Sequence, residues 1–266
     1  MAFQFTKGYE DYAKFPMHYM KVTQSYNEGN HKAHWYGATP KDYPIDLGGE
    51  DGGRDYLFSP IDMKVTNVQG IGNSKVSNKV FLVSTKKVHT PIGYYQIFMT
   101  AVHFEDSDVK KFGIKKGKVF KAGEPICLEG KETATANHLH FTCGIGSANK
   151  SVKNSKGKYV TKGDCRKPED IFYIDKNFTK VLKTRNIKFQ YLPPLKKETK
   201  PSVSYYKKYT GKSVSIVDGL KAIGVDSSFS YRKKIAKKNG ITAYVGLPSQ
   251  NKKMLDLLKK GILIKI

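Results

Sequence analysis

Of the 7 histidines in this 266-residue chain, two stand one residue apart in "ATANHLHFTC" (Ala134 to Cys143). In an extended strand, side chains at i and i+2 leave the same face of the sheet. His138 and His140 then project together, with Leu139 and Phe141 on the opposite face. Two imidazoles on one surface can share a metal ion, or divide labour between a ligand and a proton carrier. A pair of strand histidines bonded only to backbone groups fits the same pattern, so the motif needs partners. A catalytic zinc takes three protein ligands, usually two imidazoles with a carboxylate or a third histidine, and leaves one position open. Upstream, "QSYNEGNHKAHWYGATPKDYPIDLGGEDGG" (Gln24 to Gly53) offers His31 or His34 on a turn-rich loop, then Asp46 between Ile45 and Leu47. An acidic residue between two aliphatics is either a strand residue facing solvent or a buried carboxylate with a cation. His18, in "FPMHYM", and His89, in "KKVHTPIGYY", lack metal-ligand spacing and read as surface or turn positions.

The elements that must position these residues are mostly strands. "KVTNVQGIG" (from Lys64), "KVFLVST" (from Lys79) and "YYQIFMTAVHF" (from Tyr94) are β-branched or aromatic runs broken by Gly, Asn, Ser and Pro. "KKGKVFKAGEPICLEG" (from Lys115) alternates turn glycines with short apolar pairs, as short antiparallel strands do. A short helix is expected only near Asp106 to Phe112. "YLPPLKKETKPSVSYYKKYTGKS" (Tyr191 to Ser213) carries prolines and lysines with little apolar periodicity, and reads as a linker. After it the period becomes helical. Ile216, Val217, Leu220 and Ile223 share one face and stop at Gly224; Phe229, Ile235 and Ala236 precede Gly240. Ser249 stands as an N-cap before Met254, Leu255, Leu257, Leu258 and Gly261. The expected organisation is a mainly antiparallel β catalytic domain over residues 1–190, a Pro/Lys-rich linker over 191–213, and a small all-α module over 214–266.

The chain is 39% hydrophobic and 12% aromatic, enough for a packed core. No apolar run reaches the length of a membrane span, so no membrane insertion is expected. The start, "MAFQFTKGYEDYAKF", has charges where a Sec-type signal peptide needs an apolar stretch, so no Sec-type export signal is expected. Cys127, Cys143 and Cys165 are odd in number and widely spaced, as expected of reduced thiols rather than a disulfide framework. The net charge of +24 attracts polyanions such as nucleic acid, anionic lipid or the anionic polymers of a bacterial wall. It is uneven: residues 193–266 hold 17 Lys/Arg against 4 Asp/Glu. No familiar nucleic-acid-binding motif accompanies it, and that class leaves the histidines unexplained.

In order along the chain stand a histidine, "YPIDLGG", "YLFSPIDMKVTNV", "AVHF", "KKGKVFKAGEPI" and "NHLHF". This series, over residues 20–175, resembles the lysostaphin-type zinc endopeptidases, which cleave peptides of bacterial peptidoglycan. The resemblance implies a β-sheet with a groove and a Zn2+ ion held by His31, Asp46 and His140. It also implies that His138 and His103 are catalytic residues beside the metal. His31 follows the turn "YNEGN" as the family's ligand does, although its interval to Asp46 is longer than is common there and His34 falls within it. "GKETATANHLHF" also carries Thr and Ala where the family commonly has Gly. The tail, "SIVDGLKAIGVDSSFSYRKKIAKKNGITAYVGLPSQNKKMLDLLKKG", is similar to C-terminal modules of phage endolysins of low-GC Gram-positive bacteria, where they are associated with wall attachment. Together these imply a phage-type endolysin that reaches the wall once the membrane is breached. A zinc-dependent amidase cutting the sugar–peptide junction, or an inactive wall-binding relative, are the alternatives.

Overall fold

The computed structural model describes residues 4–195 and 204–266. The chain divides into two compact units, Met1–Leu195 and Lys196–Ile266. The first is built on a sheet of nine strands among the described residues. Its spatial order is Lys180–Lys183, Tyr19–Gln24, Ile45–Gly48, Leu139–Ile145, Ile97–Val102, Lys79–Ser84, Met63–Gln69 and Val119–Phe120, with Asp164–Arg166 also paired to Leu139–Ile145. Neighbours run antiparallel, except that Tyr19–Gln24 pairs in parallel with Lys180–Lys183. The expected short helix forms at Asp106–Phe112 and ends on Gly113, whose φ of 64° is the left-handed cap glycine tolerates.

Alternation along the central strands separates two faces. Leu139, Phe141 and Cys143 point into the core with Ile45, Leu47, Met99, Ala101, Val80 and Leu82. Truncating a fully buried phenylalanine such as Phe141 costs about 3–5 kcal/mol. The opposite face carries His140 and Thr142, and its register is the basis of the site. Asp46 pairs with His140, His140 with Val102, Val102 with Lys79, and Lys79 with Gln69. Residues directly opposite in paired strands share a face. Five side chains from five strands therefore form one row across the sheet, two of them candidate metal ligands.

All three cysteines are buried and free, in agreement with the reduced thiols expected. No helix among the described residues is long and apolar enough to cross a membrane.

The second unit contains the helices Ile216–Ala222, Phe229–Lys238 and Pro248–Lys260 around Leu220, Ile235, Met254, Leu255 and Leu258. Ser249 is not the cap of the last helix. Leu247 holds that position, Pro248 opens the first turn, and the Gln250 Oε1 accepts from the amides of Val245, Gly246 and Leu247. Gln250 reaches back over the helix start, which the shorter Ser249 side chain does not.

Much of the stretch expected as a linker is built into the units. Leu192 donates to the Ile174 carbonyl, and Tyr9 Oη donates to that of Pro193. Tyr206 is buried and its amide donates to Leu263. Aromatic anchors hold both ends despite the proline and lysine content. Residues 196–203 lie outside the described residues.

Candidate metal centre

The loop that delivers His31 is shaped by a short 3-10 turn, Gly29–His31, followed by the helical turn Lys32–Trp35. Gly29, with φ +47°, lets the chain reverse there, while the His31 amide donates to the Glu28 carbonyl at 3.1 Å. Trp35 Nε1 donates to the Tyr26 carbonyl at 2.7 Å and ties the loop to its own start. His31 is consequently only 4% exposed.

His31, Asp46 and His140 each aim one donor atom into a common point, all three within 4.8 Å of one another. Asp46 Oδ1 lies 3.4 Å from His31 Nε2 and 3.2 Å from His140 Nδ1. Ligands about 2.0–2.1 Å from a tetrahedral zinc stand about 3.3 Å apart, so these spacings fit a zinc-sized ion, and two imidazoles with one carboxylate are a zinc donor set. The protonation states fit as well. Burial lowers His140 to about 4, which leaves its ring neutral at pH 7. Burial pushes the Asp46 carboxyl up, but hydrogen bonds from His140 and His31 outweigh it and hold the group well below the usual range. Neutral imidazoles and an ionised carboxylate are the forms that bind a metal. The described residues thus contain a group that can hold a metal ion.

His34 goes elsewhere. Its Nδ1 lies 2.9 Å from Asp42 Oδ1, and Asp42 Oδ2 accepts from the Thr161 amide at 2.8 Å. Both side chains are buried, and the His34 ring stands 5.6 Å from that of His140. His34 packs behind the site as part of a polar brace that the sequence did not reveal.

His138 and His103 are brought together beside the trio, ring centroids 4.7 Å apart. His138 Nε2 is 3.8 Å from Asp46 Oδ1. Each ring has its Nδ1 against a backbone carbonyl, His138 on Ala136 at 2.9 Å and His103 on Glu132 at 2.8 Å. A carbonyl only accepts, so it fixes the proton on Nδ1 and leaves Nε2 with a lone pair in the neutral ring. Burial lowers the pKa of His103, keeping that lone pair available. The residue is held in the left-handed region, φ 77°, a conformation of the kind that accumulates at functional sites. Gly130 makes the approach possible, because a Cβ there would stand 2.3 Å from the His103 carbonyl oxygen.

The open volume, about 760 Å³, lies across the row from His140 and is lined by His103, Val102, Lys79, Gln69, Ser151 and Tyr159, among others. Lys79 and Gln69 were not foreseen, since an isolated Lys or Gln in a strand carries no motif. The loop before the histidine pair is pinned at its edge by the hydroxyls of Ser77 and Thr133 and by Asn137 Nδ2 on the Gly52 carbonyl at 3.0 Å. His18 and His89 stay clear of the centre. His18 is partly buried rather than on the surface, its ring stacked on Phe178 with Nδ1 against that residue's carbonyl, and His89 is exposed between Tyr12 and Tyr94.

No family model and no curated protein matches the chain. Among solved structures, one titled as a zinc containing peptidase from Vibrio cholerae aligns at 19% identity with a TM-score of 0.32, covering 59% of this chain and 41% of that one. The chain thus spans about two fifths of that protein's length.

Proposed function

We propose that the chain is a zinc-dependent hydrolase of peptide bonds in bacterial peptidoglycan, with a basic helical module that holds it to the wall. The observation carrying the hydrolytic part is the convergence of His31, Asp46 and His140 beside two histidines with matched tautomers, at the edge of a groove. The substrate class is what the resemblance of the ordered motifs implies, and the charge of the tail is compatible with an anionic wall.

In this reading His31, Asp46 and His140 hold the metal, and His103 and His138 handle protons. Zinc bound there supplies Lewis acidity, polarising the substrate carbonyl and bringing water within reach of deprotonation near neutral pH. His103 and His138 each present Nε2 as a proton acceptor, and an imidazolium formed at either can return its proton to the departing amine nitrogen. The described chain has no glutamate in a zincin helix to do this, so the work falls to these two rings.

Purified Gram-positive walls incubated with the full chain, with and without a zinc chelator, test the proposal by mass spectrometry of the soluble fragments. New amino groups within the peptide, released only in the presence of zinc, are the expected result. New amino groups on stem alanines would make it an amidase, and walls left intact would remove the proposal.

A further inference from the structure

Lys79 lies in the same row as Asp46 and His140, two strands from His140, with only Val102 between. At about 4.8 Å per strand, its Cα is about 10 Å from that of the metal ligand. Its side chain lines the groove together with His103 and His140. The ammonium donates to Ser151 Oγ and Thr161 Oγ1, each at 3.0 Å. Both acceptors are neutral hydroxyls, and an ammonium carries three donors. No carboxylate among the described residues comes within ion-pair distance of it. Asp42 attracts it at longer range, but the two oxygens of that carboxylate already serve His34 and the Thr161 amide.

The Lys79 ammonium also lies 5.0 Å from the centroid of the Phe81 ring. A partly buried cation whose partners are two neutral hydroxyls and an aromatic face, beside an open groove, still lacks a counter-charge, and that is costly. An anion arriving in the groove supplies what is missing. Burial lowers the Lys79 ammonium to about 8, so it remains largely charged at neutral pH. Lys75 also lines the groove and adds charge of the same sign.

We infer that this arm of the groove takes a peptide carrying a free carboxylate, paired with the Lys79 ammonium about two to three extended residues from the bond held at the metal site. The inference rests on the hydrolase reading for its substrate, but the carboxylate site is separable from catalysis. Lys79 is then a specificity-determining residue, outside the chemistry itself.

The test uses the full chain, native and Lys79→Met, with an acidic tetrapeptide of the peptidoglycan stem and a twin in which every carboxylate is amidated. Calorimetry measures binding of each, and thermal melting checks that the variant is folded. The native protein is expected to bind the acid about ten-fold or more tightly than the amide, the usual scale of a charged hydrogen bond. Lys79→Met should bind both forms alike, at the level of the amide. Where the peptide is cut, the difference should fall on KM and leave kcat nearly unchanged. Equal binding of acid and amide by the native chain, binding of neither, or a preference that survives in Lys79→Met overturns the carboxylate site. Preferential binding of the acid without any cleavage supports the site and counts against the hydrolase. Cleavage of both forms at equal KM does the reverse.

Discussion

Asp42 Oδ1 lies 2.9 Å from His34 Nδ1, while Asp46 Oδ1 lies 3.4 Å from His31 Nε2. Two His–Asp pairs, drawn from one short stretch of chain, have parted company: one faces the candidate metal, the other braces it from behind.

Replacing His31, Asp46 or His140 with Ala is expected to strip zinc and abolish lysis, because two remaining ligands hold the metal poorly. His34→Ala should keep zinc and lose stability by about 1–3 kcal/mol, the cost of leaving Asp42 short of a partner. Metal content by atomic emission, with thermal melts of the same samples, checks both. Full zinc occupancy in folded Asp46→Ala would take Asp46 out of the site.

His103→Ala and His138→Ala should retain zinc and lose activity by about 100-fold or more, the usual scale for a lost acid–base group. If His138→Ala lost its metal while His140→Ala kept it, the roles within the histidine pair would be reversed.

Gly130→Ala addresses the backbone that seats those two rings. A methyl group 2.3 Å from the His103 carbonyl must push that residue aside. Expected are a destabilisation of about 1–3 kcal/mol, typical of overpacking, and reduced turnover with zinc retained. Unchanged turnover would show that the close pairing of His103 and His138 has no catalytic weight.

Glu129 sets a pH dependence of stability. Burial raises its carboxyl from 4.5 to about 8, although the Asp55 amide donates to it. Because the folded state binds this proton more tightly than the unfolded chain, the group stabilises the fold fully below about 4.5. That contribution is lost as pH rises through about 8. Glu129→Gln should therefore flatten the stability profile between those limits and be the more stable protein at pH 9, by up to a few kcal/mol. Chemical denaturation at pH 5, 7 and 9 reads the difference, and parallel profiles for the two proteins would contradict it.

Residues 1–195 alone should still cut soluble peptidoglycan fragments but lyse whole cells poorly, since tethering raises local concentration without altering the chemistry. Wall binding by the full chain should weaken with salt if charge dominates, as exposed charges are screened beyond about 10 Å at 0.1 M. Undiminished cell lysis by residues 1–195 would remove the attachment role of the tail.

Strand periodicity, being short-range, made part of the site legible, while the choice of His31, Asp46 and His103 as partners came only from the resemblance of the ordered motifs to a known family. His138 and His140 had to share a face once their segment was extended, and Ile45 and Leu47 had to bury their side of the strand carrying Asp46. The core-facing alternation of Leu139, Phe141 and Cys143 follows from the same rule. Lys79 and Gln69 were invisible because their place depends on which strands pair and in what register, a long-range property. The His34–Asp42 brace depends on where a turn-rich loop folds back, which periodicity does not constrain. The Gln250 cap was missed for a smaller reason: a serine near a helix start is the commoner capping signal, and here a longer side chain reaches further.

Asp46 and His140 sit opposite one another in adjacent strands but are 94 residues apart in the chain. At ribosomal speeds of about 5–20 residues per second, His31 and Asp46 emerge about 5–20 s before their third partner is made. A nascent chain therefore carries two of the three proposed ligands, a set that holds a metal poorly, until the central strands are synthesised and have paired. Under the proposed function, metal acquisition would report that the sheet has closed: a chain stalled or cut before Leu139–Ile145 takes its place would lack the third proposed ligand, His140.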